Sequence, residues 1–280
     1  MSAATTGPGE QREVAGCHVV ITKPPKSPSG ITFLLTASNM PLEKYDSIRD
    51  ALLSIGNVVV GFYINSLRPL RRNHRVKAEH VREMFLILKN EFRMSEYSIV
   101  GHSVGGKIAL MVAALHDADQ VLNSVIALDP IDQSPVEFTN KELGNNISLK
   151  GSKANITVTV TESGPVSMEH NGRAIHKFNQ NVELILHRHA GHMAYCDEGG
   201  KLSWKAAMGT GNPEKSAKAK REAIELVKGR AKSKVGGKQL RGVKKLVSET
   251  KAAAKDFSDD VKDSGKKVSS GLMMKGMLGL

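Results

Sequence analysis

From about Cys17 onward, short apolar and β-branched runs alternate with longer stretches whose apolar residues recur every third or fourth position. The short runs, rich in Val and Ile, predict buried strands over Cys17–Thr22, Ile31–Thr36, Asn57–Tyr63, Tyr97–Val100, Ser124–Leu128, Ile156–Thr161 and Val182–Leu186. The longer periodicity predicts helices over Leu42–Ile55, Arg75–Phe92 and Gly105–Leu115. In the second helix, Val76, His80, Met84, Ile87 and Leu88 fall on one stripe. Strands alternating with helices specify an α/β fold, a mostly parallel central sheet with helices on both faces. Beyond about Gly236 the pattern weakens. Leu240, Val243, Val247 and Thr250 continue a helical stripe, but Ala254 and Ser264 dilute it. The methionine-rich end, Gly271–Leu280, is too short to span a bilayer. The chain thus reads as a flexible segment over 1–16, one α/β domain over 17–235 and a basic, partly helical or disordered tail over 236–280.

Composition sharpens this division. With 40% hydrophobic residues in 280, the chain has enough apolar surface for a core, which excludes a wholly disordered protein. Its net charge of +12 resides entirely in residues 201–280, which hold 20 Lys/Arg against 8 Asp/Glu, while residues 1–200 are balanced. A basic helix with an apolar end suits an anionic membrane surface, each Lys or Arg near it adding about 1 kcal/mol. Nucleic acid is disfavoured as a partner: Trp204 and Phe257 are the only aromatic residues in that region, too few for a base-stacking surface. The N-terminal residues lack the apolar stretch of a secretory signal and include Glu10 and Glu13, so the expectation is a cytoplasmic or plastid protein, not a secreted one. Two distant cysteines, Cys17 and Cys196, make no disulfide framework.

The chemistry concentrates in Tyr97-Ser-Ile-Val-Gly101-His-Ser103-Val-Gly105-Gly-Lys, a G-x-S-x-G sequence between a predicted strand and a predicted helix. In that setting serine sits on a strained turn with its hydroxyl exposed to a substrate, the nucleophile elbow. A hydroxyl attacks only when a base takes its proton, and in this chain order the base is a histidine after a late strand. His192, following Gly191, fits; His187 and His189 are rivals nearer the strand end. His187-x-His189-x-x-His192 matches no zinc spacing, so neither a metal nor a cofactor is expected. Two acids suit the orienting role, Asp129 at the end of one strand and Glu162 at the end of the next, with Asp132 a weaker third. The oxyanion hole should combine the Val104 N–H with one from Thr36-Ala37-Ser38-Asn39, where Ala37 or Ser38 is the donor.

Laid out in this order, the sequence resembles an α/β-hydrolase, and within that superfamily it is most similar to the chlorophyllases. The resemblance rests on Gly101-His-Ser-Val-Gly-Gly-Lys, Leu128-Asp129-Pro130-Ile-Asp and Gly191-His192-Met, and it extends over about Cys17–Val235. It implies a serine carboxylic-ester hydrolase acting on a small lipophilic ester, with Ser103 as nucleophile, Asp129 as acid and His192 as base. The chain departs from the family in two places: Val104 stands where the elbow usually has Arg, and Thr36-Ala37 where the oxyanion loop usually has His-Gly. The competing expectation is a catalytically weak or inactive hydrolase-fold scaffold whose tail binds a membrane or a partner.

Overall fold

The computed structural model describes residues 9–64, 73–115, 121–132, 143, 146–163, 171–197 and 211–232; the tail beyond 232 lies outside them. Eight strands, β1 (Glu10–Val14), β2 (Cys17–Thr22), β3 (Gly30–Leu35), β4 (Asn57–Phe62), β5 (Tyr97–His102), β6 (Leu122–Leu128), β7 (Asn155–Ser163) and β8 (Glu183–Gly191), form one sheet. Their order is β1-β2-β4-β3-β5-β6-β7-β8. The first two pairings are antiparallel and all the others parallel. Parallel neighbours need long crossovers. The helices along them are α1 (Asp46–Ser54), α2 (His74–Phe92), α3 (Val104–Ala114) and α4 (Asn171–Phe178), and α5 (Pro213–Arg230) follows β8. Every position of β3, β4, β5 and β6 is buried, so these strands are mostly apolar and lack regular polar alternation; their polar members, Thr32, Asn57, Ser98, His102, Asn123 and Ser124, are buried with the rest.

Three departures from the sequence reading have physical causes. Glu10–Val14, expected to be flexible, is an edge strand. Its Glu-Gln-Arg-Glu composition hides it, because an edge strand half open to water needs no apolar run. It is held by the β1–β2 ladder, a two-residue turn at Ala15-Gly16 with φ of 51° and 69°, and an Arg12–Glu91 ion pair of 2.8 Å. The helix expected over Leu42–Ile55 is a 3-10 turn at Leu42–Tyr45 followed by α1. In α2 the buried face is Ala78, Val81, Met84, Phe85 and Leu88, whereas Val76 and Ile87 are 38% and 49% exposed. The Phe85 ring stacks on Tyr97 with centroids 4.3 Å apart, and burying so large a ring, worth about 2–3 kcal/mol, turns that side of the helix inward. No helix among the described residues is long and apolar enough to cross a membrane.

Candidate active site

β5 ends at His102 and α3 begins at Val104, which leaves Ser103 alone at the join with φ 58° and ψ −121°. That conformation is costly for a residue with a side chain and persists only where its surroundings over-determine it. Here they do: the Ser103 N–H donates to the Leu128 carbonyl (2.9 Å), and its own carbonyl accepts from the N–H groups of Lys107 (3.1 Å) and Ile131 (3.3 Å). The flanking glycines are steric necessities. A Cβ on Gly101 would lie 2.3 Å from the Gly105 carbonyl oxygen, and one on Gly105 would lie 2.4 Å from the Leu35 carbonyl oxygen. Because α3 is buried from Val104 to Ala113, the Lys107 ammonium is enclosed as well. It is compensated by Asp132, at 3.0 Å from the carboxylate and 3.2 Å from the backbone oxygen.

Asp129 directly follows β6, with φ 43° and its N–H on the Thr159 carbonyl (2.9 Å). This turn faces its carboxylate toward β7 and the 3-10 turn His192–Tyr195. Oδ1 accepts the Thr161 N–H (3.1 Å), and Oδ2 accepts both the Thr161 hydroxyl and His192 Nδ1 (2.7 Å). A carboxylate only accepts, so His192 donates from Nδ1, and in the neutral ring the lone pair is on Nε2. Nε2 is buried and meets no hydrogen-bond partner among the described residues. Ser103 and His192 are 1% and 0% exposed, and no hydrogen bond joins them among the described contacts. Such bonds are often long in enzymes without substrate and tighten when it binds.

The rival residues have other partners. Glu162 pairs with Arg173 of α4, and Asp132 with Lys107. His187 bonds through Nδ1 to the Tyr195 hydroxyl (2.8 Å) and through Nε2 faces Glu222 (3.3 Å), whose carboxyl that contact draws below its ordinary range. His189 is exposed, with φ 61°. None of these four contacts includes His192. On the oxyanion side, the Ala37 N–H is already donated to the Tyr45 hydroxyl (2.9 Å). The Ser38 and Val104 N–H groups meet no acceptor among the described residues.

Side chains that the sequence did not single out complete the surroundings. His102, inside the elbow motif, contacts the Tyr45 hydroxyl through Nδ1 (2.8 Å) and the His192 carbonyl through Nε2 (3.0 Å). Burial, and then the neighbouring His192, hold its pKa well below the usual histidine range, so the ring is neutral. The Tyr195 hydroxyl receives the Thr159 hydroxyl (2.8 Å), and burial raises its pKa well above the usual value. Asp197 accepts the Ser47 N–H (2.8 Å) as well as the Ser47 hydroxyl and Lys220. These bonds outweigh a burial effect of opposite sign, leave its carboxyl below the usual range, and tie the end of the His192 turn to α1 and α5. Nothing in one dimension announces such residues: Tyr45 is 57 positions from His102, and Asp197 is 150 from Ser47.

No protein-family model and no curated protein matches the sequence. Solved structures do match. Est1E from Butyrivibrio proteoclasticus superposes with a TM-score of 0.56 at 11% identity, covering 79% of this chain and 96% of that one. A predicted CIB-like hydrolase from Thermoplasma acidophilum gives 0.55 at 17% identity, over 79% and 97% of the two chains. The esterase domain of a Rhodothermus marinus protein gives 0.51 at 13% identity, over 75% and 92%. Sequences this far apart share the course of the backbone and little else, and that course, with its parallel sheet and its sharp turn from β5 into α3, is the α/β-hydrolase fold.

Proposed function

We propose that the protein is a serine carboxylic-ester hydrolase. Ser103 Oγ attacks the ester carbonyl as its proton passes to His192 Nε2, and Asp129 keeps the imidazole in the tautomer that leaves Nε2 free. The tetrahedral oxyanion is met by the N–H groups of Val104 and Ser38, since the Ala37 N–H is committed to Tyr45. His192 then returns the proton to the leaving alcohol. Water, activated by the same imidazole, releases the acid from Ser103. The reading is carried by the 2.7 Å contact between His192 Nδ1 and Asp129, together with Ser103, between β5 and α3, which is the one serine among the described residues with a positive φ. A chlorophyllase-like preference for an ester of a lipophilic alcohol extends this reading on the strength of the three motifs that resemble that family. The basic tail as a contact for an anionic membrane belongs to the same proposal, since a lipophilic substrate partitions into that phase.

The test is hydrolysis of a p-nitrophenyl ester series together with labelling by a serine-directed phosphonate. Ser103→Ala should abolish both, and turnover retained in that variant discards the assignment. A second reading, an inactive hydrolase-fold scaffold, is favoured by the occupied Ala37 N–H and by the near-complete burial of Ser103. Wild-type protein that is folded yet takes up no phosphonate decides for it.

A further inference from the structure

Resting on the esterase reading, we propose that Tyr45 and His102 are positioning residues that brace the oxyanion loop against the loop carrying the base. The polarity of their contacts is determined link by link. The His192 carbonyl can only accept, so the proton of the neutral His102 ring is on Nε2 (3.0 Å) and its Nδ1 carries a lone pair. The Tyr45 hydroxyl, at 2.8 Å, is the closer donor to Nδ1, which the Cys196 thiol approaches only at 3.7 Å, and the Tyr45 oxygen accepts the Ala37 N–H (2.9 Å). One buried chain of three hydrogen bonds thus runs from the backbone at Ala37 to the backbone at His192.

Each end holds something that catalysis needs. Thr36 and Asn39 are pinned to the exit of β4, through Thr36 N–H to Phe62 (3.3 Å), Ile64 N–H to the Thr36 hydroxyl (3.1 Å) and Asn39 N–H to Ile64 (2.8 Å). Tyr45 supplies the opposite anchor at Ala37, and with that N–H turned away, the Ser38 N–H is the donor left for an oxyanion. At the other end, Asp129 orients the imidazole of His192 while His102 fixes its peptide carbonyl. The His102 and His192 rings lie 4.7 Å apart by centroid, so a shift of either is felt by the other. Tyr45 and His102 touch no reacting atom in this scheme; they set the separation between the groups that do. In a dry site, small displacements of oxyanion donors are expensive, because a donor must meet the oxyanion and not the ground-state carbonyl.

The test uses full-length wild type, Tyr45→Phe and His102→Leu, each normalised by titrating reactive serine with a p-nitrophenyl phosphonate. kcat and KM are measured on p-nitrophenyl butyrate, and Ki is measured for an alkyl trifluoromethyl ketone, which forms an oxyanion on the serine. Per titrated site, kcat should fall about tenfold in Tyr45→Phe, Ki should rise by about the same factor, and KM should stay unchanged, because the donors act on the transition state only. A merely structural role would reduce the number of titrated sites and leave Ki alone. Tyr45→Phe deletes a single oxygen, so it carries the test even if His102→Leu does not fold. Normalised kcat and Ki within about twofold of wild type overturn the brace while leaving the esterase reading intact. Wild type that neither labels nor turns over overturns the esterase reading, and the brace with it.

Discussion

Replacing Asp129 with Asn tests the acid–base arrangement at the point where the structure makes the sharpest prediction. The carboxylate accepts from three donors, the Thr161 N–H on Oδ1 and both the Thr161 hydroxyl and His192 Nδ1 on Oδ2. An asparagine has one accepting oxygen, so its two orientations are unequal. With the oxygen toward His192, the NH2 group meets the Thr161 N–H, a backbone donor that cannot turn away. A buried donor left facing a donor costs about 1–3 kcal/mol. With the oxygen toward Thr161, the NH2 group faces a hydroxyl that can rotate and an imidazole that can move its proton to Nε2. The second arrangement is the cheaper, and it leaves His192 with its lone pair on the wrong nitrogen. Loss of the correct tautomer in a serine triad lowers kcat by about 10⁴, a drop of roughly 5 kcal/mol in transition-state stabilisation. Glu162→Gln breaks only a partly exposed pair with Arg173 and should leave kcat within about threefold. The assay is p-nitrophenyl butyrate hydrolysis, backed by 15N NMR of the imidazole, which should report the proton on Nδ1 in wild type and on Nε2 in Asp129→Asn. Near-wild-type turnover in Asp129→Asn, or an equal loss in Glu162→Gln, would refute the reasoning.

Two further predictions concern buried ionisable groups near the elbow. Lys107→Met takes its ion-pair partner from the buried Asp132 carboxylate, whose Oδ2 also accepts the Leu143 N–H (3.0 Å), and should cost about 3–5 kcal/mol, a Tm loss near 10 °C by calorimetry, while the Lys107→Met/Asp132→Leu double variant should recover much of it; a single variant as stable as wild type contradicts this. His74, 2% exposed, has its pKa lowered from 6.5 to about 4 by burial first and then by Lys107 and Lys77. The unfolded chain therefore takes up this proton below 6.5 while the folded one resists until about 4, so stability falls with pH across that window by about 3 kcal/mol. Urea unfolding should show wild type losing that much relative to His74→Leu between neutral pH and pH 4, and parallel stability curves would exclude the effect.

What was legible in the sequence is what the chain writes locally. The elbow is five consecutive residues, and its two glycines are demanded by carbonyl oxygens that any such turn brings close, so the pattern carries its own geometry. Strands β3 to β6 are buried on every position, and their short apolar, β-branched stretches announce them without reference to anything distant. The two candidate acids are different in kind. Asp129 and Glu162 both end strands at the same sheet edge, and what separates them is which side chain lies opposite: Arg173 answers Glu162, and Thr161 with His192 answers Asp129. That choice is made by packing between segments, to which no residue's own neighbourhood refers. The edge strand Glu10–Val14 and the buried face of α2 escaped for the same reason, the first held by a ladder and the second turned by the Phe85–Tyr97 stack. The bonds of Tyr45 and His102 are the extreme case. A tyrosine at the end of a 3-10 turn and a histidine beside the serine have no periodicity to read, yet between them they join Ala37 to His192. Groups that bind the reacting atoms must be of a few chemical types in a few orders, and so they leave motifs; groups that hold those residues in place need only reach, and any fold can supply that reach from any part of the chain.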